Sequence, residues 1–128
     1  MEAYIKEANS ETPSIILNPS DKMYSISGQS FPEDVNKIYL PVIEWFKSNA
    51  ELIDHKICLK VDFDYINSAT SKILMDVFTV LEELTMNKEH EAQIHWFYDE
   101  DDTDNMDQGR FYEKLLNIKL FLEPKTEG

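Results

Sequence analysis

The chain of 128 residues has one cysteine, Cys58, and three glycines, Gly28, Gly109 and Gly128. A lone cysteine cannot close an internal disulfide. With His55, His90 and His95 scattered along the chain, it also offers no zinc-ligand spacing. Three isolated glycines cannot build a glycine-rich phosphate cradle. Positive charge is scarce too: 12 Lys and Arg stand against 25 Asp and Glu, a formal net charge of −13. Such a field repels phosphate backbones and anionic lipid, so neither nucleic acid nor a membrane surface is an expected partner. No apolar run approaches the roughly 20 residues that span a bilayer. No basic-then-apolar leader opens the sequence, and a reducing cytoplasmic setting is expected.

What remains is ample for a core. Hydrophobic residues make up 42% and aromatics 12%, enough apolar surface to offset the ordering entropy of one domain of this length. Residues 1–12, MEAYIKEANSET, are polar and without period, and are read as a flexible arm preceding a domain over 13–124. SIILN (14–18) and KMYSIS (22–27), separated by Pro19, Ser20 and Asp21, have the pattern of a hairpin. Ser30 and Glu33 form a possible capping box, with Pro32 in the first turn of a helix whose apolar positions run Val35, Ile38, Tyr39, Val42, Trp45 and Phe46. Pro41 inside it predicts a kink or break.

From His55 to Ile66 the pattern alternates, with Ile57, Leu59, Val61 and Phe63 against Cys58, Lys60, Asp62 and Asp64. One face of this strand is buried and the other partly wet, which places helices on one side of the sheet. Ser68 to Met86 is the strongest helical segment, with Ile73, Val77, Leu81 and Leu84 on one stripe. Residues 91–98 alternate again, and an acidic stretch, DEDDTDNMDQG, reads as a solvated connection. A short helix near 108–116 and a strand at 118–123 follow. The expected fold is α/β, a mixed sheet of about five strands with helices mainly on one face.

Four chemistries bear on these elements. An EF-hand loop starting at Asp99 fails, because Asp104 falls where glycine is needed and Arg110 where the bidentate glutamate belongs. No histidine is an evident base for a serine nucleophile. Asp62 and Asp64, one residue apart after an apolar strand, have the spacing of an aspartate-nucleophile phosphatase that holds magnesium. The lysine and acidic pair such enzymes also need are not evident, and polar residues on a wet strand face explain the two aspartates more simply. The last candidate is YINSATSK at 65–72, which places Ser68, Thr70 and Ser71 at a strand-to-helix junction. Asn67 or Ser68 there caps the helix, and an exposed hydroxyl at the same place is well situated to carry phosphate, whose charge the helix N-terminus stabilises.

TPSI (12–15), SISGQSFPEDV (25–35), YINSATSK (65–72) and HWFYDEDD (95–102), with Gly109 following, occur in that order over nearly the whole chain. On these segments the sequence resembles the SiaC-like family of bacterial regulatory phosphoproteins. The resemblance implies a STAS-like single domain without catalytic residues, cofactor or metal. It implies phosphorylation of Ser68 by a dedicated protein kinase and its reversal by a PP2C-type phosphatase. The unphosphorylated form is then implied to bind and activate a diguanylate cyclase, and so to control cyclic-di-GMP and biofilm behaviour. Ser68 stands where a family member carries threonine, which keeps the chemistry; Ala69 replaces a hydroxyl residue, leaving Thr70 and Ser71 as the lesser acceptors. Asn67 and Lys72 are expected to shape the acceptor turn, and Asp62 and Asp64 to lie beside it. The exposed face of the helix from Ser68 is expected to meet the partner, whereas Glu82 and Glu83 on it read as a solvated helix face.

Two other functions fit the residues: the magnesium-dependent phosphatase on Asp62 and Asp64, and an unmodified structural adaptor. The first is separated by assay. A regulatory protein is expected to leave a generic phosphate ester untouched in the presence of magnesium, and steady turnover lost on Asp62→Asn would establish the enzyme instead.

Overall fold

The computed structural model describes residues 2–86 and 90–126. Six strands form one sheet: β1 (Tyr4–Lys6), β2 (Ser14–Asn18), β3 (Met23–Ser30), β4 (Ile57–Ile66), β5 (Ala92–Asp99) and β6 (Lys119–Lys125). Three helices connect the later strands: α1 (Val35–Asn49), continued by a 3-10 turn at Ala50–Leu52, α2 (Ser68–Met86) and α3 (Thr103–Leu115). The strands lie side by side in chain order, β1-β2-β3 antiparallel and β3-β4-β5-β6 parallel. Right-handed crossovers through an order that never reverses set all three helices on one face. The alternation read in β4 holds as far as Phe63: Ile57, Leu59, Val61 and Phe63 are buried, while Cys58 and Asp62 are half-buried and Lys60 and Asp64 exposed.

The core lies between the inner sheet face and the helices. Leu17, Tyr24, Ile26, Leu59, Val61 and Trp96 from the sheet meet Tyr39, Val42 and Phe46 of α1, Leu74, Val77 and Phe78 of α2, and Tyr112 of α3. Phe78, Trp96 and Tyr112 join α2, β5 and α3, with ring centroids 5.1 Å apart for Phe78–Tyr112 and 5.3 Å for Trp96–Tyr112. Such spacings lie within the favourable range for aromatic pairs.

Four elements differ from the sequence expectation. The arm supplies β1, the sixth strand, which pairs with β2 through Tyr4, Ile5 and Lys6; Met1 lies outside the described residues. Its ties are tertiary: Trp45 Nε1 donates to the carbonyl of Glu2 at 2.9 Å, and Lys6 Nζ to Thr12 Oγ1 at 2.6 Å. A strand of three residues carries no readable period of its own. Ser30 does not cap α1. It ends β3 fully buried, and the cap is Asp34, whose carboxylate accepts from the N–H of Asn36 at 3.1 Å. Pro41 sits inside a single continuous α1; the carbonyl of Lys37, which loses its usual donor there, belongs to an exposed residue that water can serve.

The fourth difference is α3, which begins at Thr103 rather than near 108. The acidic stretch is its N-terminus: Asp102 accepts from the N–H of Asn105 at 3.0 Å and Asp104 lies in the first turn, where negative charge favours the helix. Reading the acidic run as a solvated connection placed the helix start too late, and Gly109, inside the helix, is required there by packing. A Cβ on Gly109 would stand 2.5 Å from Trp96 Cδ1 and 2.6 Å from Leu122 Cδ2. Gly109→Ala is therefore expected to destabilise the protein by about 1–3 kcal/mol, despite alanine's better helix propensity, as a lowered urea midpoint with unchanged slope. An unchanged or raised midpoint would contradict this packing.

Candidate functional site

The site lies where β3 and β4 end and α2 begins. β4 finishes at Ile66, opposite Ser30 of β3. Asn67 follows, and its N–H donates to the carbonyl of Ser30 at 3.0 Å. Its side chain then turns the chain into the helix, Oδ1 accepting from the N–H of Thr70 at 2.8 Å while its carbonyl accepts from the N–H of Ser71 at 3.0 Å. Asn67 is the cap, and Ser68 is the first residue of the helix proper.

The three hydroxyls have different surroundings. Ser68 is exposed. Thr70 is fully buried, and its Oγ1 donates to the carbonyl of Ser30 at 3.1 Å and lies 2.9 Å from Ser30 Oγ. Ser30 Oγ in turn lies 2.6 Å from the Tyr39 hydroxyl. Since each hydroxyl has one proton, Thr70 spends its proton on the carbonyl, Ser30 donates to Thr70, and Tyr39 donates to Ser30. Burial pushes the Tyr39 phenol well above its ordinary range, with Ser30's hydrogen bond opposing the shift in part. Tyr39 thus stays protonated and remains the donor. Ser71 is half-buried, its Oγ accepting from Gln108 Nε2 at 2.8 Å and its carbonyl accepting from the Tyr112 hydroxyl at 2.6 Å. The junction is therefore clamped by α1 on one side and by α3 on the other, and of the three hydroxyls only Ser68 faces solvent freely.

Asp62 does not join it. It lies four steps along the strand from Ile66, about 13 Å at about 3.3 Å per residue, beyond the screening length of about 8 Å at physiological salt. Its carboxylate faces the helix-free side of the sheet and accepts from Lys125 Nζ at 2.5 Å. That hydrogen bond is the main reason the Lys125 ammonium holds its proton above the usual range, with Asp99 and Asp64 adding smaller attractions. A lysine of β6 thus meets the field of the paired aspartates that the phosphatase reading assigned to magnesium. Among the described residues no group of three His, Cys, Asp or Glu side chains is placed to hold a metal ion. Asp64, by contrast, reaches the end of the sheet and lines a cleft of about 370 Å³ between β4 and the start of α3.

The Lys72 side chain is exposed, on the first turns of α2, and forms no side-chain hydrogen bond or ion pair with a described residue. Glu82 lies at the far end of α2, accepting from the N–H of Asn117 at 2.5 Å, and Glu83 beside it is exposed; neither is near the first turn. Sequence reasoning missed Ser30, Tyr39, Gln108 and Tyr112. They reach the junction from elsewhere in the chain, and no local pattern marks them.

A model of the SiaC family of regulatory phosphoproteins matches residues 6–124. The chain belongs to the SiaC family. It is similar in structure to apo-SiaC from Pseudomonas aeruginosa, with a TM-score of 0.87 and 20% identity over 96% of this chain and 99% of that one. It is likewise similar to a chain in the crystal structure of the diguanylate cyclase SiaD in complex with its activator SiaC from the same organism. There the TM-score is 0.87 with 19% identity over 95% of this chain and 99% of that one. At these identities the likeness, carried by the TM-scores, is one of fold. No curated protein matches the chain in sequence. The mixed α/β architecture expected from the sequence is the SiaC fold, with the arm adding one strand to about five.

In this SiaC-family chain the hydroxyl relay carries a pH signature. The unfolded tyrosine loses its proton near its ordinary value of 10.0, before the buried Tyr39 does. Stability therefore falls as pH rises above 10.0 and keeps falling until the folded phenol titrates. Tyr39→Phe is expected to cost about 1 kcal/mol at pH 7 and to make the alkaline decline in urea midpoint shallower. A decline as steep as the parent's would show that Tyr39 is not the buried donor.

Proposed function

We propose that the chain is a non-enzymatic, cytoplasmic switch protein whose reversible phosphorylation at Ser68 decides whether it binds and activates a diguanylate cyclase, and so sets cyclic-di-GMP output. A dedicated protein kinase adds the phosphate and a PP2C-type phosphatase removes it. The observation that carries this reading is the contrast among three neighbouring hydroxyls. Ser68 is exposed on the first turn of α2, whereas Thr70 is fully buried and Ser71 is engaged by Gln108. A kinase needs the acceptor oxygen in its own active site, and only Ser68 can be offered without opening the junction.

Family membership supports the regulatory phosphoprotein role, and the relative described as the activator of SiaD supports a diguanylate cyclase as the output partner. The physics of the modification fits a docking switch rather than a refolding switch. Phosphate adds about −1.5 to −2 charge at neutral pH. The N–H groups of Ser68 and Ala69, in the first turn, have no intrahelical acceptor, and the helix dipole favours negative charge there by about 0.3–1 kcal/mol. The phosphorylated junction thus keeps its fold. A partner seated on Ser68 would have to accommodate a dianion and strip its water, which weakens docking.

Treatment with the cognate kinase and ATP is expected to give one phosphate, placed on Ser68 by mass spectrometry and absent from Ser68→Ala. Binding to the cyclase is expected to persist in Ser68→Ala and to drop at least about tenfold, about 1.4 kcal/mol, in Ser68→Asp and in the phosphorylated protein. Phosphate found only on Thr70 or Ser71, or equal cyclase activation by Ser68→Ala and Ser68→Asp, would overturn the reading.

A further inference from the structure

Two large aromatic side chains stand in solvent beside Ser68. Phe31 follows the last residue of β3 and is 36% exposed; Tyr65, next to last in β4, is 57% exposed. Their rings pack edge to face with centroids 5.8 Å apart. The N–H···O bond from Asn67 to Ser30 ties the chain entering Phe31 to the turn that presents Ser68. The aromatic pair and the phosphoacceptor turn are therefore one surface.

Tyr65 reaches that surface because of a β-bulge. Along β4 the inward positions run Ile57, Leu59, Val61 and Phe63, and unbroken alternation would send Tyr65 into the core as well. Gly28 pairs with Phe63 but Gln29 pairs with Tyr65, so Asp64 has no partner on β3. The extra residue reverses the alternation and turns Tyr65 outward, while Gly28 opposite it takes a positive φ of 109° that suits glycine. An aromatic ring so directed and packed edge to face on a second exposed ring is a preorganised contact area, distinct from the single exposed apolar residues that any surface carries.

Charge indicates what would cover it. Tyr65 also lines the cleft of about 370 Å³, whose lining includes Asp64, Asp102 and Asp104 and, among the described residues, no lysine or arginine. Asp102 and Asp104 serve the start of α3, whereas the Asp64 carboxylate forms no side-chain hydrogen bond or ion pair with a described residue and adds only a small long-range attraction to Lys125. The whole chain carries −13, so a cationic partner is drawn to this end of the sheet.

We propose that the Phe31–Tyr65 pair anchors a basic amphipathic segment of the partner protein. Its apolar side chains lie on the two rings, and an arginine or lysine reaches Asp64 at the mouth of the cleft. This deepens the switch reading and rests on it: a phosphate on Ser68 stands at the margin of the rings, where the docked segment would have to exclude water from a dianion.

The probe is a fluorescein-labelled helical 16-residue peptide with leucines on one face and arginines flanking them, titrated by anisotropy into the full chain, with backbone NMR shifts locating the contact. Binding is expected at residues 31 and 64–68, weakening as salt rises. It should be lost on the order of 30-fold in the Phe31→Ala/Tyr65→Ala double variant, retained in Tyr65→Phe, and weakened severalfold in Asp64→Asn or when the arginines are replaced by glutamate. Thermal melts of the variants serve as the folding control. No binding at millimolar peptide, shifts confined to another surface, or an unaffected double variant would overturn the proposal. So would a Tyr65-dependent dimer of the chain in sedimentation, which would make the occupant a second copy. The cyclase assay separates this proposal from the switch. Activation that responds to Ser68→Asp but not to Tyr65→Ala defeats the anchor alone. Peptide binding that needs Tyr65, without any response of the cyclase to Ser68, defeats the switch alone.

Discussion

Three hydroxyls in series, on Tyr39, Ser30 and Thr70, close onto the carbonyl of Ser30 and hold three elements at one point. The end of β3, the middle of α1 and the first turn of α2 cannot shift independently while that chain of donors is intact. Each oxygen is buried, so breaking one link leaves an unpaired polar group at a cost of about 1–3 kcal/mol. Asn67 completes the arrangement by bonding Ser30 through its N–H and Thr70 through its side chain. Ser68 is exposed because its neighbours are not: the buried Thr70 two residues later sets the helical phase that turns Ser68 outward.

A second clamp faces the first across α2. Ser71 is bonded from α3 by Gln108 and Tyr112, and Tyr112 packs on Phe78 and Trp96. Trp96 also donates from Nε1 to the carbonyl of Asn105 at 3.0 Å, and the close approach it needs is granted by Gly109. The acidic start of α3 is thereby fixed against the end of β4 rather than left as a solvated tether. The cleft beside Tyr65 exists because α3 begins at Thr103 and because Asp102 caps it there.

The scarcity of positive charge gives weight to each lysine the fold uses. Lys125 neutralises Asp62 on the open sheet face and draws on Asp99 at 3.9 Å. Lys6 gives up part of its solvation, which lowers its affinity for the proton, to close the N-terminal segment onto Thr12. Neither forms an ion pair with Asp64 at the end of the sheet beside Ser68, although Asp64 adds a small attraction to Lys125. The resulting surface has an uncharged hydroxyl and two rings at its centre with carboxylates at its edge, so that adding one phosphate alters its chemistry sharply.

The main elements were legible in the sequence wherever a period repeats long enough to be read. The bounds of α2, Ser68 to Met86, follow from its apolar stripe and from the Asn-hydroxyl start, and β4 from its alternation through Phe63. The order of elements along the chain from the hairpin onward was legible as well, because the apolar period changes from one element to the next. The tertiary structure alone decided the rest: that Ser30 is a buried relay rather than a cap, that Asp62 answers Lys125 rather than Ser68, that three residues of the arm add a strand, and that Tyr65 points outward. Each of these depends on a partner distant in the chain: 40 residues separate Ser30 from Thr70 and 63 separate Asp62 from Lys125. Local patterns encode which face of an element is apolar; they do not encode which polar group will be waiting when two elements meet.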